Sequence, residues 1–130
     1  MEKCIVSLLG DFILKVLLDV LSPKMAMLAF HLRKALSEEG FEVDVIARDQ
    51  TQTLSILDMF RIPYRVIGEY GGASLKGKLK AELQREHLIL DYIESSGRPD
   101  VFWSKGSVGG FRVAFGLKIP IVCTNDTLHN

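Results

Sequence analysis

The sequence predicts an α/β domain of Rossmann type: a three-layer sandwich around one parallel sheet of five strands, ordered 3-2-1-4-5, with helices on both faces. Two observations carry that expectation. Short apolar runs alternate with segments of helical periodicity, five of the first and four of the second, as parallel strands and their crossover helices do. The connections are a few residues long, so each helix packs straight back on the sheet, and such crossovers are right-handed. A chain of 130 residues suits one domain of this kind.

Residues 15–20 (KVLLDV) form a nearly continuous apolar run, the mark of a parallel strand covered on both faces. Ser22 then offers an N-cap hydroxyl and Pro23 the first helical residue, where its missing N–H is no loss. Met25, Leu28, Ala29, Leu32 and Leu36 share one face of the helix that follows, and Gly40 sits where a left-handed C-cap is favoured. Residues 41–47 are the second strand, 51–60 a short helix with Leu54 and Leu57 inward, and 64–67 the third strand. Past the loop 68–73, Ser74 caps a long helix whose Leu75, Leu79, Leu83, Leu90 and Ile93 are read as its buried stripe. Residues 97–100 (GRPD) turn into the fourth strand, 101–103. Ser107 caps a fourth helix that reaches Phe115 and stops at Gly116, and residues 119–123 are the fifth strand. Residues 1–13 are read as an extension ahead of a single domain over 14–130.

Composition narrows the function. Apolar residues make up 48% and charged residues 25%, the profile of a globular chain. Lysine plus arginine balance aspartate plus glutamate at 16 each, so no overall positive charge is available for nucleic acid. Asp11, Lys15 and Asp19 interrupt the N-terminal apolar runs, so no uncharged span reaches the roughly 20 residues of a membrane helix. No transmembrane segment and a cytoplasmic location are therefore expected. Cys4 and Cys123 form no disulfide framework, and Cys123 reads as a buried small hydrophobe. His31, His87 and His129 are too scattered for a metal site; the first two are read as packing or surface residues, and Trp103 as core.

In open α/β sheets ligands bind beyond the carboxyl ends of the strands, near the point where strand order reverses, here between strands one and four. That rule selects the loops 21–24, 48–50, 68–74, 104–107 and 124–130. The ligand-binding candidates they carry are Ser22, Lys24, Arg48, Gly71, Gly72, Ser104, Gly106, Ser107, Gly109 and Asn125, with Asp126 as a candidate general base. The sharpest local pattern is GSVGG at 106–110, between strand four and helix four. It admits two readings: glycines that let an anion approach a helix N-terminus, or glycines that let the helix pack closely. Gly71 and Gly72 pose the same choice between an anion nest and a flexible loop. The first loop, DVLSPK, contains no glycine, and no P-loop is present, so neither a dinucleotide nor any other cofactor is expected.

These segments together resemble a known family. Pro99-Asp100, strand, GSVGG, helix, GLKIP at 116–120, strand and polar loop resemble the N-terminal lobe of MurG-type glycosyltransferases. DVLSPK (19–24), ARDQTQT (47–53), VIGEYGGASLKGKL (66–79), RVAFGLKIP (112–120) and NDTLH (125–129) are similar to the N-terminal part of a prokaryotic family, domain of unknown function 354. The resemblance implies a glycosyltransferase-B-like architecture of two lobes. There the N-terminal lobe usually holds the acceptor, the C-terminal lobe holds the nucleotide-sugar, and chemistry occurs between them. Here the chain stops at Asn130, so the second lobe is expected to be missing and the chain to be inactive alone.

Three functional readings stay open. The first is the acceptor-side half of a glycosyltransferase-like or sugar-nucleotide-modifying protein, partnered by a C-terminal-lobe polypeptide and meeting a nucleotide-sugar or glycan acceptor. The second is a stand-alone nucleotide- or anion-binding or regulatory module; a phospho-aspartate receiver is excluded, because Leu21-Ser22 and Gly68-Glu69 stand where its acids would be. The third is an inactive truncated product whose open lobe face invites self-association.

Overall fold

The computed structural model describes residues 13–125, and within them the sheet is β1 (Lys15–Val20), β2 (Glu42–Asp49), β3 (Arg65–Glu69), β4 (Val101–Ser104) and β5 (Ile121–Cys123). Between them run α1 (Pro23–Glu38), α2 (Thr51–Met59), α3 (Leu75–Ser96) and α4 (Val108–Gly116). The strand order is β3-β2-β1-β4-β5 and every pairing is parallel, as the alternation predicts. β1 is the hub, with Leu18 beside Val45 of β2 on one side and Trp103 of β4 on the other.

Because side chains alternate along a strand, the register assigns each residue of β1 to a layer. Val16, Leu18 and Val20 pack with Met25, Ala26 and Ala29 of α1, Leu57 of α2, and Trp103. Leu17 points the other way, into a cluster with Ile46, Ile67, Phe102, Ile89 and Ile93 of α3, and Ala114 of α4. Two steps beyond Leu17 on that second face stands Asp19, fully buried. Its carboxylate receives both arms of the Arg85 guanidinium, Nη2 to Oδ1 at 2.6 Å and Nη1 to Oδ2 at 3.1 Å. Arg85 Nε donates to the Ile67 carbonyl at 2.8 Å, so one side chain of α3 ties together β1 and β3. The backbone has been shaped to admit it: a Cβ at Gly68 would fall 2.6 Å from Arg85 Cγ, and one at Gly110 would fall 2.6 Å from Asp19 Oδ2.

That pair overturns most of the expected buried stripe of α3, of which Ile93 is buried and Leu90 half-buried. Leu75, Leu79 and Leu83 are 85%, 60% and 51% exposed, while Arg85, Ile89 and Ile93 line the sheet. The inward row runs at four-residue spacing through an arginine, so a count of apolar residues passes over it and locks onto the neighbouring leucines. On α1 the same correction is smaller: Ala26 is buried and Leu28 is exposed, because the small alanines let that helix lie close to β1. Cys123 is exposed rather than buried, as are Ile121 and Val122, since β5 is the sheet edge and no described element follows it. α4 does reach Gly116, but the left-handed residue of its exit is Lys118, at φ 57°. The caps at Ser22, Ser74 and Ser107 form as expected. Of the N-terminal extension, residues 1–12 lie outside the described residues.

Removing one partner of a buried pair strands a charge, at a cost of about 3–5 kcal/mol. Arg85→Met is therefore expected to lose that much in urea denaturation. Replacing both partners, Asp19→Leu with Arg85→Met, is expected to recover most of it. A single-variant loss within about 0.5 kcal/mol, the size of an ordinary surface change, would show that the pair does not hold the layers together.

Candidate functional site

The carboxyl ends of the strands bring together the loops that the sequence singles out, though their side chains divide into two groups. The first group serves the fold. Ser22 Oγ accepts the Met25 N–H at 3.3 Å, Ser74 Oγ the Gly77 N–H at 3.0 Å, and Ser107 Oγ the Gly110 N–H at 3.1 Å. Each hydroxyl satisfies a helix-terminal donor. Ser104, fully buried, donates to the Asp19 carbonyl at 2.9 Å and ties β4 to β1. Gly109 belongs here too. Its N–H donates to Glu82 Oε1 at 2.7 Å, so a carboxylate of α3 already occupies the first turn of α4, where an anionic ligand would otherwise sit. A Cβ at Gly109 would clash with that oxygen, and α3 and α4 touch through this point.

The second group faces open space. A cavity of about 470 Å³ lies above β1, β4 and β5, with Lys24, Met27, Leu28 and His31 of α1 on one wall and Lys105, Thr124 and Asn125 on the other. Its lining pairs an apolar surface with cationic groups, and Thr124 Oγ1 is buried there without a hydrogen-bond partner among the described residues. A second cavity, about 290 Å³, lies between the ends of β2 and β3 and the start of α3; Arg48, Glu69, Tyr70, Gly71 and Lys78 face it. The Arg48 guanidinium sits 5.4 Å above the Tyr70 ring and donates through Nη2 to the Leu21 carbonyl at 3.1 Å. Gly72 and Gly106 hold left-handed backbone, at φ 78° and 101°, with nothing within 4 Å of a would-be Cβ, so both loops are open on that side.

Sequence reasoning thus reaches Lys24, Arg48, Gly71 and Asn125 at cavity walls, and misses Met27, Leu28, Lys105, Tyr70, Lys78 and Glu82. The outward spacing of Met27, Leu28 and His31 on α1 is the available signal for one wall. Nothing in the sequence alone marks Glu82 as the partner of Gly109. Asp126 lies outside the described residues. A clear pKa displacement occurs away from both cavities: the hydrogen bond that Tyr64 donates to Asp58 raises its phenol, at the amino end of β3. Among the described residues no cluster of three or more His, Cys, Asp or Glu could hold a metal ion, and no helix is long and apolar enough to cross a membrane.

The close approach at Gly109 has a measurable consequence. Gly109→Ala is expected to push α4 off Glu82 and lower stability by about 1–3 kcal/mol, the range for overpacking. Gly109→Val is expected to cost more, read as the loss of melting temperature. A full-stability Gly109→Val protein would return the glycine loop to the role of ligand contact.

Comparison with known proteins places this arrangement. Residues 14–130 match the family described as "Protein of unknown function (DUF354)". An uncharacterised protein of Methanocaldococcus jannaschii is 32% identical over 96 residues, 74% of this chain and 28% of that protein. Among solved structures, MurG of Acinetobacter baumannii superposes with a TM-score of 0.66 at 19% identity, over 86% of this chain and 34% of that one. The UDP-GlcNAc 2-epimerase of Neisseria meningitidis, solved bound to UDP-GlcNAc, gives 0.63 at 18%, over 83% and 31%. At such identities the likeness is one of fold. The chain spans about a third or less of the length of each of these proteins.

Proposed function

We propose, from the premise that this chain belongs to the DUF354 family, that it is the acceptor-side lobe of a glycosyltransferase-like or sugar-nucleotide-modifying protein, completed by a second lobe. The observation that carries the reading is the 470 Å³ cavity at the carboxyl edge of β1, β4 and β5. It stands beside the point where strand order reverses, the place at which α/β sheets take their ligands. The Met27 and Leu28 side chains suit the carbon face of a sugar ring. Thr124 and Asn125 suit its hydroxyls, and Lys24 and Lys105 suit a negative charge carried on the acceptor or developing during transfer. A UDP-N-acetylglucosamine 2-epimerase shares this fold, which supports sugar-nucleotide chemistry. In this reading the nucleotide belongs to the second lobe, and Asp126, next to Asn125, is the general base offered to the acceptor.

The experiment is a pair of titrations on the purified chain. Methyl N-acetylglucosaminide should move the amide resonances of Lys24, Lys105 and Asn125. UDP-GlcNAc should move no more than its sugar does and should leave the melting temperature unchanged. A ligand at one hundred times its dissociation constant stabilises by about 2.7 kcal/mol, which is roughly 3–6 °C for a domain of this size. A shift of that size with UDP-GlcNAc would make this lobe a nucleotide binder in its own right and end the acceptor reading.

A further inference from the structure

The smaller cavity has a different chemistry. Among the described residues Arg48 commits one N–H, to the Leu21 carbonyl, and its Nε is buried without an acceptor. Neither Arg48 nor Lys78 has a carboxylate within ion-pair distance among the described residues. Yet both cations face one space of about 290 Å³, at the first turns of α3, whose N-terminal dipole adds to their field. Of the two carboxylates there, Glu82 is engaged by the Gly109 N–H, which leaves Glu69 at the rim. The Tyr70 ring braces the guanidinium from one side, which limits its freedom before any ligand arrives.

We propose that this cavity binds the phosphoryl group of a small hydroxylated phosphate ester, of which a sugar phosphate is the simplest kind. Arg48 and Lys78 take the phosphoryl oxygens, the guanidinium through two parallel N–H donors. Glu69 repels the phosphoryl group and accepts a hydroxyl from the rest of the molecule, which orients it outward. The volume sits at the low end for ligand pockets, so it suits a phosphoryl group with a short carbon skeleton rather than a dinucleotide. The site stands apart from the acceptor cavity and does not require the acceptor-lobe reading.

Glucose 1-phosphate titrated into the ¹⁵N-labelled chain tests it. The Arg48 Nε resonance and the amides of residues 70–78 should shift, inorganic phosphate should compete, and added salt should weaken binding. Lys78→Gln should weaken it about tenfold or more, the worth of one charged hydrogen bond. Arg48→Gln should do the same, but Arg48 also holds the Leu21 carbonyl, so the exposed Lys78 decides the question if the arginine variant unfolds. Glu69→Gln should tighten inorganic phosphate, from which it removes a like charge, and shift the preference away from the sugar phosphate, whose hydroxyl loses its acceptor. The proposal is overturned if the parent binds neither anion, if Lys78→Gln binds as the parent does, or if the shifts gather instead at Lys24 and Lys105. The first two outcomes leave the sugar titration at the larger cavity untouched, and the third moves the anion there without removing the sugar's own shifts, so the two readings fail separately.

Discussion

The carboxylate of Asp19 and the guanidinium of Arg85, both with essentially no exposure, constrain nearly everything around them. Removing two charges from water costs several kcal/mol each, and only good geometry with further hydrogen bonds offsets that. Here the geometry is bidentate, and the remaining Nε–H is spent on the Ile67 carbonyl. The requirement spreads outward. β3 must offer a glycine at 68 for the arginine stem to cross, and α4 must offer one at 110 for the carboxylate to fit. The helix of 22 residues must also turn its arginine, not its leucines, toward the sheet. The pair sits on the second face of β1, one residue before the strand ends at Val20, and ties α3 to β1 and β3 there.

A second constraint follows from helix ends. Every helix start in this fold points its free N–H groups toward the carboxyl edge of the sheet, and that edge is where ligands would bind. The protein satisfies several of them itself. Three serine hydroxyls cap α1, α3 and α4, and Glu82 reaches from α3 to the first turn of α4. With those donors taken, the cationic groups at the two cavity walls are side chains: Lys24 and Lys105 line one, Arg48 and Lys78 the other. In the GSVGG segment, the most conspicuous pattern in the sequence, Gly109 and Gly110 lie close against Glu82 and Asp19, while Gly106 stays open.

How much of this is legible in the sequence depends on which signal a feature leaves. Strand order, helix caps and the loops of the carboxyl edge follow from periodicity and turn chemistry, which are local, and they emerge within a few residues. The inward face of α3 does not. Four leucines and an isoleucine at near-helical spacing are a strong local signal, and the true row hides because its first member is charged. An arginine is read as inward only once its partner is known, and Asp19 lies 66 residues away. Cys123 departs from expectation for a related reason: an apolar run announces a strand without saying whether a neighbour covers it. Glu82 and Lys78 escape a linear reading because their roles exist only after α3 has docked against β3 and α4.

The two cavities are also joined through the backbone. Arg48 faces the smaller one, yet its Nη2 grips the carbonyl of Leu21, and the next residues, Ser22 to Lys24, open α1 and enter the wall of the larger one. A single hydrogen bond thus spans from the end of β2 to the loop after β1. Since Ser22 holds the first turn of α1 by its cap, a displacement of Leu21 would be felt at Lys24, two residues into the helix. The stacking of Arg48 on Tyr70 limits how far that can go while the smaller cavity keeps its shape.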